Sequence, residues 1–157
     1  MSLVNQNEER VMLIVIPTYK RNNCLKWVLQ SLIQCRTDAI PEQIRVVVVN
    51  NYPPAASDIE EIVSHYRSDQ RFCWEILYRK ESLHPANNWY SAIFEKALKD
   101  EIVFINSDDD LFTPESLEIR YQEIIRSDGD LLLSKLGPTI FFHENAERIL
   151  FPHEQLK

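Results

Sequence analysis

Five short apolar runs, separated by segments with helical periodicity, constrain the fold of this chain more than any other feature. The runs are residues 11–16, 44–49, 73–78, 102–105 and 131–133. The first two, VMLIVI and IRVVVV, are almost wholly apolar and stop at Pro17 and Asn50. Continuous runs of this length are typical of strands buried on both faces, as in a parallel sheet covered by helices.

Amphipathic helices are predicted between these strands. The first carries an apolar stripe with i, i+3, i+4, i+7 and i+8 spacing, formed by Leu25, Val28, Leu29, Leu32 and Ile33. The predicted starts are the pair Asn22–Asn23, the Ser57–Glu60 capping box, Ala86 and the Thr113–Pro114 pair. The last three helices are predicted to end near Arg67, Lys99 and Ile125. Trp89 shares the inner face of the third helix, so we expect it in the core.

Alternation of strands and helices indicates βαβ units. We therefore predict an α/β fold, a three-layer sandwich around a mainly parallel central sheet. A chain of 157 residues fits one domain. No internal repeat or linker divides it, so residues 1–157 are taken as a single unit.

Composition disfavours several classes of function. The net charge of −7 argues against nucleic acid as a partner, because phosphate backbones are held by clustered Lys and Arg. No apolar run approaches the roughly 20 residues that span a bilayer, and the polar N-terminus is no signal peptide. Cys24, Cys35 and Cys73 are an odd number at spacings that match no zinc motif. Reduced thiols and a cytoplasmic location are therefore expected.

Glycine is scarce, which restricts how a nucleotide could be bound. Gly129 and Gly137 are the only two glycines. A P-loop and a dinucleotide-binding turn both need several glycines close together, so both are excluded. Any nucleotide bound by this chain must be held in another way.

Polar loops follow three of the predicted strands, at residues 17–21, 50–54 and 106–112. In open α/β sheets, ligands bind outside the carboxyl ends of the strands. Because parallel strands end at the same edge of a sheet, these loops should lie close together. The sequence therefore predicts a binding site at this edge.

Three successive carboxylates, Asp108, Asp109 and Asp110, form the strongest chemical signal. Their mutual repulsion must be relieved by a cation or by solvent. Mg2+ and Mn2+ prefer oxygen ligands and commonly take one or two carboxylates together with substrate phosphates. The alternative is an acidic loop in which Asp110 helps to cap the following helix. The preceding strand and the two matching loops favour a metal site.

The other polar positions carry alternatives of their own. Asn50 and Asn51 offer amide groups suited to a pyrimidine edge or a ribose hydroxyl, although turn formation by itself explains the pair better. The TYKR segment at residues 18–21 offers a hydroxyl, an aromatic face and two cations, or else forms a solvated loop. Asn88 lies near a helix start, where free N–H groups attract anions, and could equally be a cap.

Four segments, in order, resemble the inverting family 2 glycosyltransferases of the GT-A fold. They are VIPTYKR at 15–21, VVVVNN at 46–51, NWYSA at 88–92 and INSDDDLFTP at 105–114. The resemblance implies a nucleotide-diphosphate sugar donor, most often a UDP-sugar, with bound Mn2+ or Mg2+. It places the donor on Pro17, Thr18, Tyr19, Arg21, Asn50, Asn51, Asn88, Asp108 and Asp109. The metal would be held by Asp108 and Asp110, the two positions of the DXD motif.

The resemblance implies metal-dependent transfer of the sugar to an acceptor hydroxyl on a carbohydrate or lipid-linked acceptor, as in the synthesis of cell-surface polysaccharide or glycan. Two alternatives stay open: a non-catalytic nucleotide- or partner-binding fragment, and a sugar nucleotidyltransferase. The absence of glycine from residues 15–21 disfavours the second alternative. Peripheral membrane association and homo-oligomerisation stay open as well.

The catalytic base is not identified. In the family it lies well beyond the DXD segment, in the acceptor-binding half. The acids in the corresponding stretch, which fall in no recognisable motif, are Asp128, Asp130, Glu144 and Glu147. We therefore expect the acceptor-binding half to be short or missing, and the isolated chain to bind a donor but to transfer sugar poorly.

Overall fold

The computed structural model describes residues 12–41, 43–98 and 101–126. Within these ranges the strands are β1 (Met12–Thr18), β2 (Ile44–Asn50), β3 (Phe72–Tyr78) and β4 (Ile102–Ile105). The helices are α1 (Asn22–Ile33), α2 (Ala56–Ser64), α3 (Pro85–Lys96) and α4 (Ser116–Arg126). A short 3-10 turn at Pro53–Ala55 precedes α2. The predicted strand at residues 131–133 lies outside the described residues.

All four strands are parallel and follow the order β3-β2-β1-β4. β1 is central and pairs with both β2 and β4, for example Ile14 with Val46 and with Phe104. Every residue of β1 is buried, which explains why its sequence is apolar without alternation. The carboxyl ends of the four strands therefore meet at one edge of the sheet.

Helices cover both faces of the sheet, and the predicted three-layer α/β sandwich is confirmed. On one face α1, α2 and α4 pack over the strands through residues such as Leu29, Ile59 and Leu117. On the other face α3 covers β1 and β2, and Ala92 packs in a second core with Val15 and Val47. No helix among the described residues is long and apolar enough to span a membrane.

The helix starts differ from the predicted ones. α1 begins at Asn22 itself, with Arg21 at the N-cap and no side-chain cap bond. Ser57 lies inside α2, which begins at Ala56, so the predicted capping box is wrong. The chain reaches α2 through the 3-10 turn, which shifts the start to a residue that has no capping side chain. α4 begins at Ser116, two residues after Pro114.

The helix ends also differ. α2 ends at Ser64, before the predicted Arg67, because turns replace the helix from residue 65. α3 ends at Lys96, and Ala97 has extended backbone with ψ of 134°. The predicted end at Lys99 falls outside the described residues. These shifts move no helix to another face of the sheet.

Candidate functional site

A cavity of about 490 Å³ opens at the carboxyl edge of the sheet, where the loops after the strands meet the start of α3. Its walls are Pro17, Thr18, Tyr19, Arg21, Asn51, Ser82, Leu83, Pro85, Asn88, Trp89, Ser107, Asp108 and Asp109. The three loops that the sequence selected each contribute to it. Eight of the ten predicted site residues line the cavity, and Asn50 and Asp110 do not.

Asp108 is the most deeply buried carboxylate of the cavity, with 4% of the residue exposed. Its Oδ1 accepts a hydrogen bond from Arg21 at 3.3 Å, and its Oδ2 is buried without a partner. Burial raises the pKa of Asp108. The nearby Thr18 hydroxyl and the Arg21 charge oppose that rise, although Thr18 Oγ1 makes no full hydrogen bond. A buried, unpaired carboxylate oxygen beside a cavity is suited to a cationic or hydroxyl-bearing ligand.

Asp109 is more exposed and is held from two sides. Arg21 Nη1 donates to its Oδ2 at 2.5 Å, and the Ser107 hydroxyl donates to its Oδ1. Partial burial disfavours the charge of Arg21, but Asp108 and Asp109 outweigh that effect and raise the pKa of Arg21. One guanidinium thus neutralises part of the charge of two neighbouring carboxylates.

The residue before Arg21 adopts an unusual backbone conformation. Lys20 has φ of 55°, and it is the one residue other than glycine with positive φ among those described. For a residue with a Cβ this left-handed conformation costs roughly 1–2 kcal/mol. The turn joins β1 to α1 and directs Arg21 back over the Asp108–Asp109 pair. The Lys20 ammonium lies 5.2 Å from the ring centre of Tyr19 and 4.6 Å from that of Tyr52.

Asn106 holds the backbone of the acidic turn, residues 107–110. Its backbone N–H donates to Val15 at 3.0 Å, which extends the β1–β4 ladder by one residue. Its buried side-chain amide donates to the carbonyls of Ser107 at 3.0 Å and Asp110 at 2.8 Å. The sequence analysis assigned no role to Asn106, although an Asn at the end of a strand is a common start of a turn.

Asp110 does not line the cavity and is half-buried. Burial and the charge of Asp109 raise the pKa of Asp110, and Arg120 opposes them. The described residues hold no group of three His, Cys, Asp or Glu side chains placed to bind a metal ion. The pairing of Asp108 and Asp110 as metal ligands stays a prediction.

Asn50 and Asn51 differ because successive side chains of a strand point to opposite faces. Asn51 lies on the α3 side and lines the cavity. Asn50 lies on the other side, where its Oδ1 accepts the N–H of Tyr52 at 3.0 Å and its Nδ2 is buried without a partner. These contacts are the ones expected of an asparagine that forms a turn.

The loop after β3 forms the wall that the sequence analysis missed. Ser82, Leu83 and Pro85 line the cavity. Asn51 holds this loop through two hydrogen bonds with the backbone of Leu83. The rule that selected the other loops applies here as well, since β3 also ends at this edge. The loop was overlooked because its residues offer no acidic or amide cluster.

The start of α3 is fixed by Arg79, at the end of β3. Its side chain donates to Asn88 Oδ1 at 2.9 Å, to Ser91 Oγ at 2.8 Å and to Glu95 at 2.6 Å. Asn88 is therefore buried and engaged, yet still lines the cavity. Trp89 was expected in the core, and this is wrong: it is 39% exposed and forms part of the cavity wall, while Ala92 takes the inner position.

The family model for glycosyl transferase family 2 matches residues 13–137, which include every element described above except the first residue of β1. The chain belongs to this family. The match agrees with the resemblance of the four sequence segments. Membership of this family supports a transferase. No curated protein sequence matches this chain significantly.

Solved structures of glycosyltransferases share the fold of this family 2 chain. S. aureus TarS 1-349 superposes with a TM-score of 0.60 at 17% identity, over 82% of this chain and 40% of TarS 1-349. TarS 1-349 in complex with UDP-GlcNAc superposes with a TM-score of 0.58 at 20% identity, over 73% of this chain and 31% of that one. The mannosyltransferase PcManGT from Pyrobaculum calidifontis, in complex with GDP-Man and Mn2+, superposes with a TM-score of 0.52 at 20% identity. The match covers 66% of this chain and 28% of PcManGT. These neighbours establish the GT-A fold, and the chain spans 19% to 40% of the length of the structures it matches.

Proposed function

We propose that the cavity binds the nucleoside diphosphate part of a nucleotide-sugar donor, a UDP-sugar, for transfer of the sugar to a carbohydrate or lipid-linked acceptor. One observation carries the proposal: Asp108, with a buried oxygen that lacks a partner, faces a cavity that also contains Thr18, Tyr19 and Asn51. The family match and the complexes of its structural neighbours with UDP-GlcNAc and GDP-Man support it.

The walls of the cavity offer each group that such a ligand needs. Tyr19 is 45% exposed and presents an aromatic face on which a base can stack. Arg21 lines the cavity and Lys20 precedes it in the same loop, and their two positive charges are suited to phosphate oxygens. The Thr18 hydroxyl, buried without a hydrogen bond, is available to a ribose or phosphate oxygen.

A divalent ion fits the acidic side of the cavity. Asp108 Oδ2 is unpartnered, and Asp109 lies beside it. Carboxylate oxygens are ligands that Mn2+ and Mg2+ prefer, and these ions commonly complete their shell with substrate phosphates and water. We propose that Asp108 contributes to this shell together with Asp110, as the family pattern implies. Asp109 is the carboxylate at the cavity that could replace Asp110. A bound ion would neutralise charge that develops on the leaving diphosphate.

The described cavity accounts for donor binding more fully than for transfer. Transfer needs a positioned acceptor, because positioning lowers the reaction barrier by roughly 7–11 kcal/mol. It also needs a base, which typically raises the rate by a factor of about 10²–10⁴. No residue described here is assigned as that base. We propose that residues 1–157 form one donor-binding domain that works in the cytoplasm, where nucleotide sugars and reduced thiols coexist.

Calorimetric titration of the chain with UDP, GDP and dTDP, each with and without Mn2+, tests the proposal. We expect binding of UDP that strengthens at least about tenfold with Mn2+ and is lost in Asp108→Asn. Asp110→Asn and Asp109→Asn, compared in the same titration, identify the second ligand carboxylate. A chain that binds none of the three nucleotides would refute the proposal, and metal-independent binding would refute the part that concerns Mn2+.

A further inference from the structure

Arg21 occupies the position from which a cation would act on the acidic turn. Its Nη1 lies 2.5 Å from Asp109 Oδ2 and 3.3 Å from Asp108 Oδ1. Its side chain is 52% exposed, so the guanidinium is free to leave without unpacking the core. The side chain of Asp108 is only 6% exposed and cannot follow it.

The backbone keeps Arg21 in this place. The left-handed conformation at Lys20 turns the chain at the end of β1, and Arg21 then forms the N-cap residue of α1. Strained backbone at a cavity persists only where its surroundings hold it, and it is a reason to ask what the strain positions. Here it positions a positive charge over two carboxylates.

A divalent ion at Asp108 and Asp109 must compete with Arg21 for the charge of the same two carboxylates. An ion placed against Asp108 and Asp109 would lie within a few ångströms of the guanidinium, where like charges repel. A diphosphate in the cavity offers the guanidinium another partner, because Arg pairs as well with phosphate as with carboxylate.

We propose that Arg21 is an internal counter-ion that competes with a divalent cation for Asp108 and Asp109 and passes to the donor diphosphate when the donor binds. This inference rests on the proposed function and adds a coupling between the two ligands. While the cavity holds no donor, Arg21 offsets part of the charge of the Asp108–Asp109 pair, so the metal binds weakly by itself. Binding of the diphosphate draws Arg21 away and opens the carboxylates to the ion.

The test compares Arg21→Gln with the unchanged chain in two separate titrations. Binding of Mn2+ alone is followed by the electron paramagnetic resonance signal of free Mn2+, and binding of UDP at saturating Mn2+ by calorimetry. We expect Arg21→Gln to bind Mn2+ alone roughly tenfold more tightly, since a competing unit charge at this distance is removed. We expect it to bind UDP roughly tenfold more weakly, since a phosphate partner is lost.

Two further variants separate this coupling from damage to the fold. Arg36→Gln removes an exposed arginine that pairs with Glu115 away from the cavity, and should change neither affinity. Arg21→Lys keeps a competing charge, so its affinity for Mn2+ alone should stay close to that of the unchanged chain. Melting temperatures establish that each variant is folded.

The outcomes distinguish this inference from the proposed function. Mn2+ affinity that is unchanged or lower in Arg21→Gln overturns the competition, whatever UDP does, and so does a failure of every variant to bind Mn2+. Tighter Mn2+ binding in Arg21→Gln, with no UDP binding by any variant, supports the competition at the carboxylates and overturns both the donor site and the transfer of Arg21 to it.

Discussion

Asn51 and Leu83 are joined by two hydrogen bonds that together imitate a pair of strand residues. Asn51 Nδ2 donates to the Leu83 carbonyl at 2.8 Å, and the Leu83 N–H donates to Asn51 Oδ1 at 2.8 Å. The side chain at the end of β2 thus fixes the loop that forms one wall of the cavity. We expect Asn51 to influence a ligand mainly through the position of that loop.

Replacement of Asn51 should loosen this wall. We expect Asn51→Ala to lower the free energy of unfolding by about 1–2 kcal/mol, because both backbone groups of Leu83 lose their partner. UDP affinity in the presence of Mn2+ should fall about tenfold in calorimetry. Asn87→Ala, which changes an exposed asparagine outside the cavity lining, is the matched control. Equal UDP affinity of Asn51→Ala and the unchanged chain would show that the loop has no influence on the ligand.

The buried charge of Asp108 should lower the stability of the fold while it strengthens ligand binding. Burial raises the pKa of Asp108, so its charged form is unfavourable in the folded chain at pH 7. Asp108→Asn keeps the shape and removes the charge. We expect the melting temperature to rise by about 2–4 °C and Mn2+-dependent UDP binding to fall more than about tenfold. Asp38→Asn, at an exposed position, should change neither. A lower melting temperature would contradict this account of the carboxylate.

Arg79 should be irreplaceable by lysine. Its guanidinium reaches Asn88, Ser91 and Glu95 from a side chain that is only 9% exposed, and an ammonium cannot reproduce that fork. We expect Arg79→Lys to lower the free energy of unfolding in urea by about 1–3 kcal/mol. The same change at the exposed Arg36 should lie within about 0.5 kcal/mol of the unchanged chain. Equal losses at the two positions would argue against the network.

Asp69 provides a pH-dependent test far from the cavity. Hydrogen bonds from Arg71 lower the pKa of Asp69 below the ordinary 3.8, and Arg71 also donates to the carbonyls of Ile33 and Cys35 at the end of α1. The stabilisation by the charged carboxylate is therefore complete above pH 3.8 and is lost as the pH falls through the folded-state pKa. Asp69→Asn should lower the melting temperature equally at pH 7 and pH 5, and by less below pH 3.8. A loss that grows on acidification would contradict the assignment.

The cysteines should differ in reactivity. Burial raises the pKa of Cys35 to about 11, whereas Cys73 is exposed. The thiolate is the reactive form, so Cys35 should resist a thiol reagent at pH 8 while Cys73 is modified. Mass spectrometry of the native and the urea-unfolded chain measures both. Modification of Cys35 before Cys73 would show that the end of α1 opens readily.

The strands β1 and β2 were predictable because burial on both faces leaves an almost unbroken apolar run. The helix starts were not, because Ser57 resembles a cap by type while the preceding 3-10 turn decides where α2 begins. At the site, residue type selected both Asn50 and Asn51, but strand alternation lets only one face the cavity. Trp89 has the spacing of a core residue, but in the structure the small Ala92 packs against the sheet and Trp89 lies in the cavity wall.

The sheet order has a consequence for how the chain folds. β1 is synthesised first among the strands yet lies between β2 and β4, and Met12 aligns with Ile102, 90 residues further along the chain. Such distant pairing requires a large loop to close and slows folding. Until β4 is made, one edge of β1 has unpaired backbone groups that invite association with other chains. We therefore expect the nascent chain, more than the finished domain, to depend on chaperones.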